Sequence, residues 1–209
     1  MKKKNPISGV ILAGGKNSRV NGQNKTFFDI GTTSIFEQIY AVMNMFFDDL
    51  IVVTRSPELF LKWDIAIFPD FFQPHCPLNG IYTGLLYAQH PQVFVVACDI
   101  PFISQNLIEY MCSTYDTKFD VYYPQTSKGN EPLFAIYSRR CLNCFKNRLQ
   151  MEKFKITNAF KSLKTEVVNE STLNNMGISL QSFFNVNTSQ DLIEANSLCN
   201  KTKQYNDSM

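Results

Sequence analysis

The stretch Ile7-Ser8-Gly9-Val10-Ile11-Leu12-Ala13-Gly14-Gly15-Lys16-Asn17-Ser18-Arg19, with Lys25 shortly after, constrains the fold more than any other part of this chain. Its first half is a short apolar run, the pattern of a buried parallel strand, and it stops at two glycines followed by polar and basic residues. Paired glycines let the backbone turn with positive φ and leave room for a ligand to touch the main chain. Successive N–H groups in such a turn form a hollow that suits anions. Arg19 and Lys25 supply the positive charge that a polyphosphate needs. The alternative is a tight strand-to-helix turn with solvated cations, which leaves the coincidence of strand, glycines and two cations unexplained. The pattern reads as a nucleotide site.

Spacing excludes two commoner phosphate loops. A P-loop needs a glycine five residues before Gly15-Lys16, where Val10 stands, and a Ser or Thr after Lys16, where Asn17 stands. The dinucleotide fingerprint needs a Gly-x-Gly followed by a third glycine, and this loop has neither.

A length of 209 residues suits one α/β domain with a substantial core. Twenty basic and 18 acidic residues give a net charge of +2, so no strong field for nucleic acid or a membrane surface is expected. Met-Lys-Lys-Lys resembles the charged end of a signal peptide, but the apolar run behind it is short and ends in Gly-Gly-Lys, so the cytoplasm is the expected location. Six cysteines are scattered, and Cys141-Leu142-Asn143-Cys144 has the spacing of a zinc half-site without a second pair. Reduced thiols are expected, some buried as small apolar residues.

Strands and helices alternate along the chain. Helical spacing covers 34–47, about 81–89, 104–115 with Ser104 as a cap, 142–149 and 156–160. Strands are expected at 50–53, 65–68, 93–97, 121–123, 132–137 and 167–168, and a loop at 71–80. Thr188-Ser189-Gln190-Asp191 has capping-box spacing and opens a last helix, with a polar, flexible end beyond. Such alternation implies a mostly parallel sheet covered on both faces, with ligands bound beyond the carboxyl ends of the strands. The glycine loop, Asp70 and Asp99 all sit at such ends. Asp99 follows a five-residue apolar run, where a carboxylate has no packing reason to be, and Pro101 turns the chain away. That makes it a candidate ligand for Mg²⁺, which takes oxygen ligands from one or two carboxylates plus substrate phosphates. A carboxylate that caps the next helix is the alternative.

Taken together, Leu12-Ala13-Gly14-Gly15, Arg19, Lys25, Pro77-Leu78-Asn79-Gly80, Cys98-Asp99-Ile100-Pro101, Glu131-Pro132-Leu133-Phe134 and Phe184-Asn185-Val186-Asn187-Thr188 follow the order and spacing of one family. From about Ile7 to Ala195 the chain resembles the bacterial molybdenum cofactor guanylyltransferases. The resemblance implies a single three-layer α/β/α domain, Rossmann-like, of the nucleotide-diphospho-sugar transferase type, spanning 1–209 with flexible ends at 1–5 and about 197–209. It implies transfer of GMP from GTP to the terminal phosphate of molybdenum-bearing molybdopterin, with Mg²⁺ as cofactor. A monomer is expected, with molybdenum-insertion proteins and molybdoenzyme chaperones as further partners.

By matching position, Leu12, Ala13, Gly14 and Gly15 would meet GTP through the main chain, and Pro77, Leu78 and Gly80 would lie near the base. Lys25 would contact the phosphates with Arg19, Thr54 and Asp70 would stand at nucleotide-binding positions, and Asp99 would hold Mg²⁺. Asn185 and Asn187 match the motif that closes the pterin side, and they alternate on an extended segment, so both point one way. Val20, Asn21, Asn24 and Thr54 depart from the family pattern; Asn24 keeps hydrogen-bonding capacity and loses charge. Three other functions share parts of this pattern: a cytidylyltransferase acting on molybdopterin, a sugar-1-phosphate nucleotidyltransferase, and a nucleotide-binding carrier without turnover. No activated nucleophile is required of the protein, because the attacking group is already a phosphate oxygen.

Overall fold

The computed structural model describes residues 6–14, 19–20 and 23–206, with side chains for 6–14 and 26–200. Strand β1 (Ser8–Leu12) is followed by two short antiparallel pairs, β2 (Arg19–Val20) with β3 (Gln23–Asn24) and β4 (Asp29–Ile30) with β5 (Thr33–Ser34). Helix α1 (Ile35–Phe46), strands β6 (Leu50–Val53) and β7 (Ala66–Phe68), helix α2 (Pro77–Tyr87) and strand β8 (Gln92–Ala97) come next. Helix α3 (Gln105–Thr114) precedes β9 (Val121–Thr126), β10 (Gly129–Asn130), β11 (Phe134–Ser138) and helix α4 (Leu142–Gln150). Strand β12 (Thr165–Asn169), helix α5 (Glu170–Asn175) and helix α6 (Ser189–Asn206) complete the chain.

Eight strands form one sheet in the order β10-β9-β11-β8-β1-β6-β7, with β12 beside β9. Strands β8, β1, β6 and β7 are mutually parallel, β12 is parallel to β9, and β11 runs antiparallel between β8 and β9. The sheet is therefore mostly parallel, as strand–helix alternation requires. Its centre is apolar on both faces because helices cover both. Ile11, Val52, Phe94 and Val96 face α1 and α3, whereas Val10, Val53, Val93 and Val95 face α2 and α4. Each such side chain, fully removed from water, contributes about 1.5–3 kcal/mol.

Two glycines set how closely α2 lies on β1. A Cβ at Gly84 would stand 2.8 Å from both Val10 methyl carbons, and one at Gly80 would stand 2.9 Å from Leu12 Cδ2. Gly80 and Gly84 are four residues apart, so they share one helix face. That face presses its backbone against the strand that carries the glycine loop.

The caps follow the sequence. Ser34 Oγ accepts from Glu37 N–H at 3.3 Å while the Glu37 carboxylate accepts from Ser34 N–H at 3.0 Å. Ser104 Oγ accepts from Leu107 N–H at 3.3 Å and opens α3. Thr188 Oγ1 accepts from Asp191 N–H at 3.1 Å, and Asp191 returns the bond to Thr188 N–H at 2.8 Å. Helix α6 continues from there to Asn206, through the polar end expected to be flexible; residues 1–5 and 207–209 lie outside the described residues.

Helix α5 and the short strands β2–β5 and β10 add to the expected elements, and two expected elements differ. Helix α2 begins at Pro77, not near Ile81, and so absorbs the last part of the expected loop. Proline suits this first helical position because the N–H it lacks would have had no partner within the helix. The segment 156–160 forms two short 3₁₀ turns (Ile156–Asn158 and Phe160–Ser162) where a helix was expected, and both tuck apolar side chains under β9 and β11. Among the described residues no helix is long and apolar enough to cross a membrane.

Candidate active site

Because β6, β1 and β8 are parallel neighbours, their carboxyl ends open onto one edge of the sheet. Backbone bonds carry the ladder past the last strand residues: Ala13 N–H donates to Val53 O at 2.9 Å and Cys98 N–H to Leu12 O at 3.0 Å. Gly14, Thr54 and Asp99 are thus brought together from three distant parts of the chain. Gly14 is exposed, and Gly15 lies outside the described residues. Thr54 is buried, and its hydroxyl donates to Ala13 O at 3.0 Å, fixing the entrance of the glycine loop.

On the α2 side of this rim an open pocket of about 300 Å³ including open solvent is lined by Leu12, Gly14, Thr54, Asp70, Pro77 and Gly80. These residues were singled out from sequence, and the fold collects them around one space. Val53, His75 and Cys76 complete the lining. Leu78 points instead into the core beneath, fully buried, which leaves only its main chain to a ligand.

The loop after β7 is held from below by α2. Asn79 is fully buried, and its Nδ2 donates to Phe72 O at 2.7 Å and Pro74 O at 2.9 Å while its Oδ1 accepts from Phe72 N–H at 3.2 Å. Thr83 Oγ1 accepts from Phe71 N–H at 3.0 Å. In the sequence Asn79 reads as one residue of a turn motif. Its function as a buried latch is visible only once α2 is known to start at Pro77. The latch is expected to be costly to remove. Asn79→Ala leaves a buried amide and two carbonyls without partners and should destabilise the protein by about 3 kcal/mol. Urea unfolding measures this, and a loss below about 1 kcal/mol would show that the loop holds itself.

Asp99 lies just past the end of β8, half-buried, with its Oδ1 shielded from solvent. Its main-chain carbonyl accepts from Val186 N–H at 2.9 Å, which stitches the 184–188 segment to the rim. Val186 is buried, and Asn185 and Asn187 on either side are exposed, as alternation along an extended segment dictates. Asn185 Nδ2 donates to Phe183 O at 3.2 Å, and Asn187 N–H donates to Asp191 at 2.7 Å.

Lys25 opens a short 3₁₀ turn (Lys25–Phe27), and the next residue, Thr26, places its Oγ1 3.2 Å from Cys98 Sγ. The turn that opens at Lys25 is therefore set against Cys98, the residue before Asp99. Arg19 pairs in backbone register with Asn24. The side chains of Arg19, Asn24 and Lys25 lie outside the described residues, as do Asn21 and Gly22 entirely.

Asp99 brings one carboxylate to the rim, and among the described residues no three or more His, Cys, Asp or Glu side chains gather as a ligand set. A hard cation that takes its remaining oxygens from phosphates fits such a donor; a closed tetrahedral N/S site does not. Farther along the same edge, beyond β11, a second cavity of about 700 Å³ including open solvent is lined by Thr126, Lys128, Glu131, Gln181, Phe184 and Glu194, among others. Glu131 is half-buried there, and burial pushes its carboxyl up against the pull of Lys128.

Residues 9–165 match the model of the MobA-like NTP transferase domain. The molybdenum cofactor guanylyltransferase of Desulfosudis oleivorans is 32% identical over 189 residues, covering 90% of this chain and 94% of that one. A probable molybdenum cofactor guanylyltransferase of Natranaerobius thermophilus is 35% identical over 202 residues, covering 94% and 98% respectively. Among solved structures, molybdopterin-guanine dinucleotide biosynthesis protein A from Archaeoglobus fulgidus superposes with a TM-score of 0.80 at 22% identity, covering 93% of this chain and all of that one. The fold, a mostly parallel sheet between two helical layers, is shared with that structure. By the match over most of its length and the identity to these relatives, this chain belongs to the family of MobA-like NTP transferases that includes the molybdenum cofactor guanylyltransferases.

Proposed function

We propose that this protein transfers GMP from GTP to the terminal phosphate of molybdenum-bearing molybdopterin, releasing pyrophosphate and forming the guanine dinucleotide cofactor. The observation that carries this reading is the convergence on one rim of Ala13–Gly14, the Asp70–Gly80 cavity and Asp99, in a chain whose relatives bear that name.

A phosphate oxygen of the acceptor forms the new bond to the α-phosphorus of GTP, and the bond from that phosphorus to the bridging oxygen of pyrophosphate breaks. Both reacting groups are anionic, so the protein must align them and offset charge. The main chain of Leu12, Ala13, Gly14 and Gly15 meets the nucleotide, with Thr54 fixing the loop through Ala13 O. Pro77, Leu78 and Gly80 border the base through their backbone, and Asp70 lines the same cavity. Lys25 and Arg19 balance the charge of the leaving pyrophosphate. Asp99 is the residue that would hold Mg²⁺. The ion would neutralise phosphate charge as a Lewis acid. Asn185 and Asn187 border the acceptor side, tied to Asp99 through Val186.

GTP is expected to outperform ATP, CTP and UTP by at least about tenfold in pyrophosphate release with molybdopterin as acceptor. A site whose buried polar groups match one base leaves them unpaired with another, and the difference is large. Release with CTP equal to that with GTP would move the reading to a cytidylyltransferase. Release with a sugar 1-phosphate as the only productive acceptor would replace it altogether.

A further inference from the structure

His75 stands in the nucleotide cavity although nothing in the sequence pattern assigns it a part. Its Nδ1 lies 3.0 Å from Oδ2 of Asp70. An ionised carboxylate only accepts, so Nδ1 carries the proton of this bond. The Asp70 side chain is 13% exposed and the His75 ring 37%, so the pair straddles the mouth of the cavity with the carboxylate on the inside. Burial pushes the Asp70 carboxyl up, and His75 and Arg55 pull it down.

The loop between them has little freedom. Thr83 holds Phe71, and Asn79 holds Phe72 and Pro74. Cys76 O accepts from Asn79 N–H at 3.0 Å and Gly80 N–H at 3.2 Å, which ties the residue after His75 to the first turn of α2. Both ends of the Asp70–His75 contact are thus anchored to the helix that borders the cavity. An exposed ion pair on a free loop would contribute little; this one orients a mostly buried carboxylate inside a binding space.

We propose that His75 is a positioning residue for the nucleotide: it holds Oδ2 of Asp70 so that Oδ1 can accept a hydrogen bond from the nucleoside of bound GTP. This rests on the function proposed above. The donor belongs to the nucleoside, N1–H or the amino group of guanine or a ribose hydroxyl, since the carboxylate would repel the phosphates.

Equilibrium titration of GTP with Mg²⁺ onto the purified protein tests it in a double-mutant cycle. His75→Ala and Asp70→Asn should each weaken binding about tenfold. The double variant should bind no more weakly than Asp70→Asn alone, because His75 acts only through that carboxylate. His75→Asn, whose amide keeps a donor near the Nδ1 position, should recover much of the affinity. In turnover the loss should fall on KM for GTP. Inosine triphosphate lacks the 2-amino group and 2′-deoxy-GTP lacks one ribose hydroxyl; weaker wild-type binding of one, indifferent to His75→Ala, identifies the donor. Additive losses in the cycle overturn the assignment of His75 while leaving the transferase reading intact. A wild-type protein that binds no GTP overturns both.

Discussion

Asp99→Asn is expected to lower kcat/KM for GTP by at least about a hundredfold, comparable to removing one preorganised charge-stabilising group from an active site. The substitution keeps size and removes charge. An aspartate that merely accepted loop amides or capped α3 would tolerate asparagine with a modest loss. A hard divalent cation would not, since it would lose its protein anion beside the phosphates. The fold should survive, because the structural bond at this position uses the main-chain carbonyl to Val186, which the substitution leaves in place. Steady-state turnover across a Mg²⁺ titration, with a thermal melt of the same preparation, separates these cases. Turnover near wild type at limiting Mg²⁺ would remove the metal from Asp99.

Lys25→Ala should lose about 2 kcal/mol of transition-state stabilisation, roughly thirtyfold in kcat/KM. Its backbone turn is set beside the end of β8 through Thr26 and Cys98, within reach of the rim where Ala13–Gly14 and Asp99 meet. A lysine that only balanced surface charge would contribute almost nothing. Arginine should rescue in part, because its planar fork is a poor substitute for the compact charge of an ammonium. An unchanged kcat/KM in Lys25→Ala under saturating Mg²⁺ would return this residue to the solvated surface.

Much of this architecture was legible from residue pattern. The runs 10–12, 50–53 and 93–97 are apolar without interruption because helices cover both of their faces, and no solvent side imposes alternation. Their glycine, threonine and aspartate ends fell on one rim because parallel strands must end together. The start of α2 was hidden because proline, asparagine and glycine carry the same letters in a turn and in a first helical turn. Which one forms depends on the Asn79 side chain finding Phe72 and Pro74, contacts made only after the loop has folded back. His75 is hidden for a similar reason: a histidine reads as a candidate by its neighbours, and its neighbour Asp70 is known only from the path of the loop. The turn after Lys25 is tied to the end of β8 by a hydroxyl–thiol contact between residues 26 and 98, which no local pattern records.

The bond from Val186 to Asp99 also bears on how the protein is made. The rim strands β1, β6 and β8 are all made before residue 99, and their pairing with one another uses no later segment, although β11 then pairs with the other edge of β8. The 184–188 segment that bonds to the rim through Val186 is made much later, just before the last helix. Synthesis therefore makes the two parts of the rim in order, and a chain halted after β12 would carry Asp99 without the segment that bonds to its main-chain carbonyl.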